Sequence, residues 1–331
     1  MRIIVHITHN DGDAVGCDLV LRNVYIHEDD NIQTYWCNPN TVDEIATNLI
    51  EKWESENLYP SVVIISDISV SLKTWNILVM LKEKYGFKLQ LFDHHPTNPC
   101  KQEKYAVVKS CTSDGVPISA AKIMYQYYID DIIKHHSDDV KNALYILVES
   151  ISRYDTWEWR TNPSFSIPSE SIISDICKFI GPDETVRLLI EHLSSIKCAN
   201  TAYPEYFINL YNAIELKKKQ SFENLEDFVK ITKEGEYIYA SFIASSEYTN
   251  EIAEAIYDTY DIDIVRILYP NSCKIGFRTK RNDLNVGRIA QRLYGGGGHP
   301  KASGAKISLD EFIILFSNVM TAPSLRESTE I

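Results

Sequence analysis

Four short apolar runs stand out in the first hundred residues: Ile3–Thr8, Ile32–Trp36, Val62–Ser66 and Lys88–Phe92. Their length and their content of Ile, Val and aromatic residues predict strands. Between them, Val15–Arg22, Val42–Trp53 and Ser71–Tyr85 repeat apolar residues at helical spacing. Strand and helix alternate, which predicts a parallel sheet covered by helices on both faces. Two further helical stretches follow, Pro117–Ile133 and Asp139–Ser152. Residues 201–230 read as a helical linker, amphipathic from Tyr206 to Lys219. A second, smaller α/β domain is expected over residues 231–320. It has strands Tyr237–Ile243, Ile262–Tyr269 and Cys273–Thr279, and helices Thr249–Tyr257, Val286–Tyr294 and Asp310–Met320. The reading is an α/β protein with domains over 1–200 and 231–320 and a tail over 321–331.

Polar residues break the pattern where the strands end, and open α/β sheets bind ligands at those carboxyl ends. His9, Asp11 and Asp13 follow the first strand in "THNDGDAVGC". Asp67 ends "VVIISD", and Asp93, His94 and His95 follow the fourth strand in "FDHHPTN". Histidine and carboxylate together suit a divalent ion such as Mn²⁺. Each cluster also has a plainer reading. The Asp-Gly pair suits a turn and helix cap, Asp67 an N-cap, and the histidines a surface turn before Pro96. Neighbouring residues point apart, so one of His94 and His95 would reach a metal and the other a substrate, with Asp93 orienting a ring. His6 lies within a strand and reads as a packed histidine. Asp155, in "ISRYDTWEWR", closes an apolar helical run, where the negative helix end disfavours an acid.

Far along the chain, "YGGGGHPKASG" spans residues 294–304 between a predicted helix and a strand. Four glycines in a row cost conformational entropy, and a flexible linker is a poor fit between two regular elements. Their backbone N–H groups suit a phosphate cradle. His299, Lys301 and Ser303 follow at once.

Charge sharpens this picture. The chain of 331 residues carries a formal net charge of −13, which disfavours coating long nucleic acid. Yet the window Lys274–Lys306 holds eight basic residues against Asp283 alone, so it is +7 and the remainder −20. A local basic surface on an acidic protein suits a small anionic ligand. The seven cysteines show no CxxC pairing, as expected of reduced thiols. No apolar run approaches the roughly 20 residues needed to cross a bilayer. Met1–His6 reads directly as strand, not as a secretory signal. A cytoplasmic protein without membrane contact is expected.

The order His-x-Asp-x-Asp, strand-Asp, Asp-His-His, Asp and Gly-Gly-Gly-Gly-His closely resembles the DHH phosphoesterase superfamily with its C-terminal DHHA1 domain. The likeness extends from His9 to Gly304. "HNDGDAVGC" and "YDTW" look most like the branch of nanoRNase B oligoribonucleases and cyclic-nucleotide phosphodiesterases. The resemblance implies two Mn²⁺ ions, with Mg²⁺ also admitted, in a cleft between the domains. Carried over, His9 and Asp11 hold one ion and Asp13 contacts the other. Asp67 bridges both, and His94 and Asp155 complete the second site. Asp93 orients His94, and His95 faces the scissile phosphate. Arg278, the backbone of Gly295, Gly296, Gly297 and Gly298, His299 and Ser303 bind substrate.

The implied activity is hydrolysis of short oligoribonucleotides to nucleoside monophosphates, by in-line attack of a hydroxide bridging the two ions. A homodimer is compatible with it, and long duplex nucleic acid is not an expected partner. Alternatives are a RecJ-like exonuclease on single-stranded DNA, hydrolysis of cyclic nucleotides or 3′,5′-bisphosphates, and a sensor that binds a nucleotide without turnover. The full set of acids counts against the sensor. The glycine run matches DHHA1 and not a pyrophosphatase C-terminal domain.

Overall fold

A computed structural model of the chain describes residues 2–27, 29–156, 158–161, 169–196, 202–222, 229–243, 249–298 and 300–321. The chain divides into two compact units, Met1–Ile214 and Glu215–Ile331.

In the first unit the four predicted strands form as β1 (Arg2–Thr8), β2 (Asp30–Trp36), β3 (Val62–Ser66) and β4 (Lys88–Asp93). They pair in parallel with a short edge strand, β5 (Ala106–Val108), in the order β2-β1-β3-β4-β5. Three apolar residues give β5 too little pattern to announce itself. The strand order reverses between β1 and β3, which opens a crevice at their carboxyl ends.

Alternation along the strands feeds two cores. Val5, Ile7, Val63, Ile65, Leu89 and Leu91 pack with Trp53 of α2 (Val42–Glu56) and Trp75 and Leu78 of α3 (Leu72–Tyr85). The intervening residues of β1, including His6 and Thr8, face α1 (Gly12–Val24), whose Asp18 His6 contacts. Burial of both faces explains why these strands read as continuous apolar runs.

The stretch predicted as one helix over Pro117–Ile133 is two. Ser119 caps α4 (Ala120–Tyr127), its hydroxyl accepting from the Lys122 amide. The wholly buried Tyr128 leaves helical geometry, and α5 (Ile129–His135) restarts beyond it. The long helix α6 (Asp138–Asp155) ends on Asp155. After it come α7 (Glu158–Thr161), α8 (Ile172–Ile180), α9 (Pro182–Ser195) and α10 (Glu205–Phe222). Among the described residues no helix is long and apolar enough to cross a membrane.

The second unit is built on a six-stranded mixed sheet. Its strands are β6 (Lys230–Glu234), β7 (Tyr237–Ile243), β8 (Ile264–Tyr269), β9 (Lys274–Arg278), β10 (Gly297–Gly298) and β11 (Ala302–Lys306), in the order β10-β11-β9-β8-β7-β6. β7 and β8 pair in parallel, and the other neighbours in this order pair antiparallel. Helices α11 (Thr249–Thr259), α12 (Val286–Tyr294) and α13 (Leu309–Thr321) complete the unit. β6 begins at the end of the stretch read as linker.

The glycine run earns its composition structurally. Gly295 ends α12 at φ +65° and Gly298 sits at φ +138°, both left-handed. A Cβ on Gly296 would lie 2.2 Å from the Gly304 carbonyl oxygen and 2.6 Å from the Ala305 Cβ, whereas a Cβ on Gly297 meets nothing within 4 Å. Gly296→Ala is therefore expected to destabilise the protein by about 1–3 kcal/mol through overpacking, and Gly297→Ala by under about 1 kcal/mol. Chemical denaturation of the two variants checks the contrast, which equal losses would refute.

Candidate metal centre

The carboxyl ends of β1, β3 and β4 and the end of α6 bring the predicted ligands together. His9, Asp11 and Asp67 can place one donor atom each within 4.8 Å of one another, and so can Asp13, His94 and Asp155. Asp67 lies between the groups: its Oδ2 is 3.9 Å from His9 Nδ1 and its Oδ1 3.5 Å from His94 Nε2. His94 Nε2 is also 3.3 Å from Asp155 Oδ2.

The plainer readings hold only in part. Asp11 does cap α1, accepting from the Ala14 amide at 3.2 Å, but its other oxygen accepts from His9 Nδ1 at 2.7 Å. Asp67 caps nothing, because Ser71 caps α3. Asp67 instead adopts φ +54°, unusual for a residue other than glycine. His6 is the packed histidine expected of it, wholly buried.

One role differs from expectation. Asp93 does not orient His94. Its Oδ1 accepts from His95 Nδ1 at 2.7 Å and from the amides of His94 and His95 at 2.8 and 3.3 Å, while its Oδ2 accepts from Asn98 Nδ2 at 2.6 Å. The tight turn after β4 folds the chain back on Asp93, so the residue two positions on, and not the adjacent one, reaches the carboxylate. Asn98 and the Ser119–Ala121 segment were not legible as site residues. The amides of Ala120 and Ala121, at the α4 N-terminus, donate to Asp13 at 2.8 and 3.0 Å across more than a hundred residues of sequence. The helix dipole favours the charged carboxylate there, but burial outweighs it and raises the Asp13 pKa.

Electrostatics separates the two histidines. Burial holds the His94 pKa below the ordinary value, which favours a neutral ring with a free lone pair. The hydrogen bond to Asp93 raises that of His95 and favours the cation. Burial also drives up the acids. Asp67 lies well above the usual carboxylate range, through burial first and then the charges of Asp13, Asp11 and Asp155. Asp155 is raised to about 8, again by burial and then by Asp13 and Asp11. Burial works the same way on Asp11, but His9 outweighs it and the carboxyl falls to about 2.

Both oxygens of Asp67 and Oδ2 of Asp155 are buried without a hydrogen-bond partner. Unpaired buried carboxylate oxygens are costly. Three of them converging with two imidazoles is the arrangement a divalent cation would satisfy, so the residues fit such a group.

In the second unit Arg278, the last residue of β9, is half-buried. Its Nε donates to Asn250 Oδ1 at 3.0 Å and its Nη1 to the Phe277 carbonyl at 2.9 Å. Burial lowers its pKa, and no carboxylate pairs with it among the described residues. The basic window around it is smaller than its composition suggests. Lys280 pairs with Glu254 and Asp258, Arg281 with Asp263 and Asp283, and Lys301 donates to the carbonyls of Lys280 and Arg281. Ser303 donates its proton to the Val286 carbonyl at 2.7 Å, holding the glycine loop to α12. His299 lies outside the described residues.

Residues 234–322 match the DHHA1 domain family. That match lies in the second unit and agrees with the resemblance to the DHH phosphoesterase superfamily. The chain is 26% identical over 318 residues to oligoribonuclease NrnB of Bacillus subtilis, a match covering 93% of this chain and 74% of that protein. The fold recurs in two solved structures. A manganese-bound exonuclease RecJ superposes with a TM-score of 0.60 at 13% identity, covering 99% of this chain and 92% of that one. A pGpG-specific phosphodiesterase of Vibrio cholerae superposes with a TM-score of 0.55 at 16% identity, covering 97% and 98%.

Proposed function

We propose that the protein is a two-metal phosphodiesterase that hydrolyses short oligoribonucleotides to nucleoside monophosphates. The observation that carries this reading is the convergence of His9, Asp11, Asp13, Asp67, His94 and Asp155 at the carboxyl ends of β1, β3 and β4 and the end of α6, with buried carboxylate oxygens unpaired. The relatives named as an oligoribonuclease and a pGpG-specific phosphodiesterase support a short substrate.

His9 and Asp11 would hold one cation, Asp13, His94 and Asp155 the other, and Asp67 both. Imidazole among the ligands favours Mn²⁺ over Mg²⁺, which takes oxygen ligands almost exclusively. Bound divalent cations would supply positive charge for the phosphate and acidify water. Asp13, clamped by two amides, keeps its direction as substrate enters. The neutral ring of His94 offers its lone pair. His95 is held by Asp93 at Nδ1, so its Nε2–H is left to donate to a phosphoryl or leaving oxygen. Arg278 would grip a second phosphate, since a desolvated guanidinium with no carboxylate partner among the described residues favours a bidentate anion. Gly297 and Gly298, exposed on the edge strand β10, would offer backbone amides beside it.

The test is a panel of short RNA, short and long single-stranded DNA, cyclic nucleotides and 3′,5′-bisphosphates, each with Mn²⁺ and with Mg²⁺. The expected result is cleavage of di- to pentaribonucleotides with Mn²⁺. Arg278→Ala is expected to raise KM and cut kcat/KM by about 10–100-fold, the loss of one charged bidentate contact. Preferential digestion of long single-stranded DNA would overturn the reading in favour of a RecJ-like exonuclease.

A further inference from the structure

Beneath the metal centre lies a polar chain that no step above uses. Asp18 accepts from Arg22 Nε at 2.7 Å and from Thr34 Oγ1 at 2.6 Å. Its Oδ1 is also 2.8 Å from His6 Nδ1. A carboxylate with donors already on both oxygens takes the His6 contact as a third donation, so Nδ1 carries a proton. His6 Nε2 then meets Ser66 Oγ at 2.8 Å. Thr8 Oγ1 lies 2.9 Å from that hydroxyl and donates to the Ser66 carbonyl oxygen, also at 2.9 Å. In atoms this is a Ser-His-Asp set, but His6, Asp18 and Ser66 are all wholly buried, so Ser66 has no access to a substrate.

What the chain does hold is one peptide unit. The Ser66 carbonyl is tied by Thr8, and the amide of the same peptide, on Asp67, donates to the Phe92 carbonyl at 2.9 Å. That plane is therefore clamped at both ends just before a residue at φ +54°. A left-handed residue with a side chain costs about 1–2 kcal/mol and persists only where its surroundings over-determine it. Here the strained residue is the one whose oxygens lie between the two ligand groups. We propose that Thr8, Ser66, His6 and Asp18 are positioning residues that hold Asp67 in the left-handed conformation from which it binds both cations. The inference rests on the reading of the metal centre given above.

Thr8→Val removes the hydroxyl without changing shape, Ser66→Ala removes the middle link, and Thr8→Ser keeps the hydroxyl. The readouts are Mn²⁺ affinity by loss of the free-ion electron spin resonance signal, the Tm of the metal-free protein, and kcat and KM on a short ribonucleotide. Thr8→Val and Ser66→Ala are expected to weaken Mn²⁺ binding about 10–100-fold, the effect of losing support behind a ligand, and to lower kcat more than they raise KM. Thr8→Ser restores binding. If Thr8→Val does not unfold cooperatively, Ser66→Ala carries the same test. Wild-type Mn²⁺ affinity in these variants, with only Tm lowered, overturns the inference and leaves the metal centre standing. No Mn²⁺ binding by the wild-type protein overturns both.

Discussion

The Asp67→Asn protein should lose hydrolysis on the order of 10³-fold or more, yet in the absence of metal it should unfold at a higher temperature than the wild type. The loss follows from position: among the described residues Asp67 alone approaches both His9 and His94, and removing charge stabilisation of about 4 kcal/mol costs about that factor. The gain follows from cost. Both oxygens of Asp67 are buried and unpaired, and Asp11, Asp13 and Asp155 repel its charge. Asparagine tolerates the left-handed conformation at φ +54°, is neutral without having to hold a proton, and brings an amide that can donate to a neighbouring carboxylate. A rise of about 2 °C or more is expected for each kcal/mol recovered. Calorimetry in EDTA, with the Mn²⁺ assay beside it, checks both halves. A lower Tm would show that the carboxylate is not strained in the metal-free protein, and retained turnover would remove Asp67 from the site.

The metal-free protein should also lose stability as pH rises from about 4 to 8, and added Mn²⁺ should restore it, the more so at higher pH. Asp155 titrates near 8 in the fold against an ordinary value of 3.8. Across that window the folded chain keeps a proton that the unfolded chain has released, so stability is full below the lower value and falls towards the upper one. Each such group contributes at most about 1.4 kcal/mol per pH unit. Asp67, raised for the same reason, acts in the same sense, as do His9 and His95, raised by their carboxylate partners. Asp11, near 2, acts oppositely but only below the window, and His94, lowered by burial, opposes the trend up to its ordinary value of 6.5, where the raised groups outnumber it. A bound cation replaces those protons and releases them, which ties its affinity to pH. Thermal scans from pH 5 to 8.5, in EDTA and in Mn²⁺, would contradict this if the metal-free Tm stayed level or rose, or if the metal-induced gain did not grow with pH.

Much of this was open to sequence reading because it rests on local periodicity and order. The strands β1, β3 and β4 are apolar on both faces, and a polar residue at the end of such a strand has few structural reasons to be there. His9, Asp67 and His94 are accordingly visible as candidates in the sequence. The bounds of β5 and the break at Tyr128 were not, because a three-residue edge strand and a helix interruption made by one packed tyrosine leave no periodic trace.

The linear order of residues determined the α/β character, the ligand types and their place at strand ends. Tertiary structure decided how those residues are used. The Asp13 carboxylate is held by amides from a helix that arrives from Ala120 and Ala121, a pairing no local pattern encodes. The choice of His95 over His94 as the partner of Asp93 depends on the backbone path of one turn. Three of the four glycines answer to a left-handed φ or to a neighbouring strand before they answer to any ligand. The physical reason is common to all three. Residue type and spacing set which groups are available, whereas hydrogen-bond partner, burial and backbone angle arise only once distant segments share the same space.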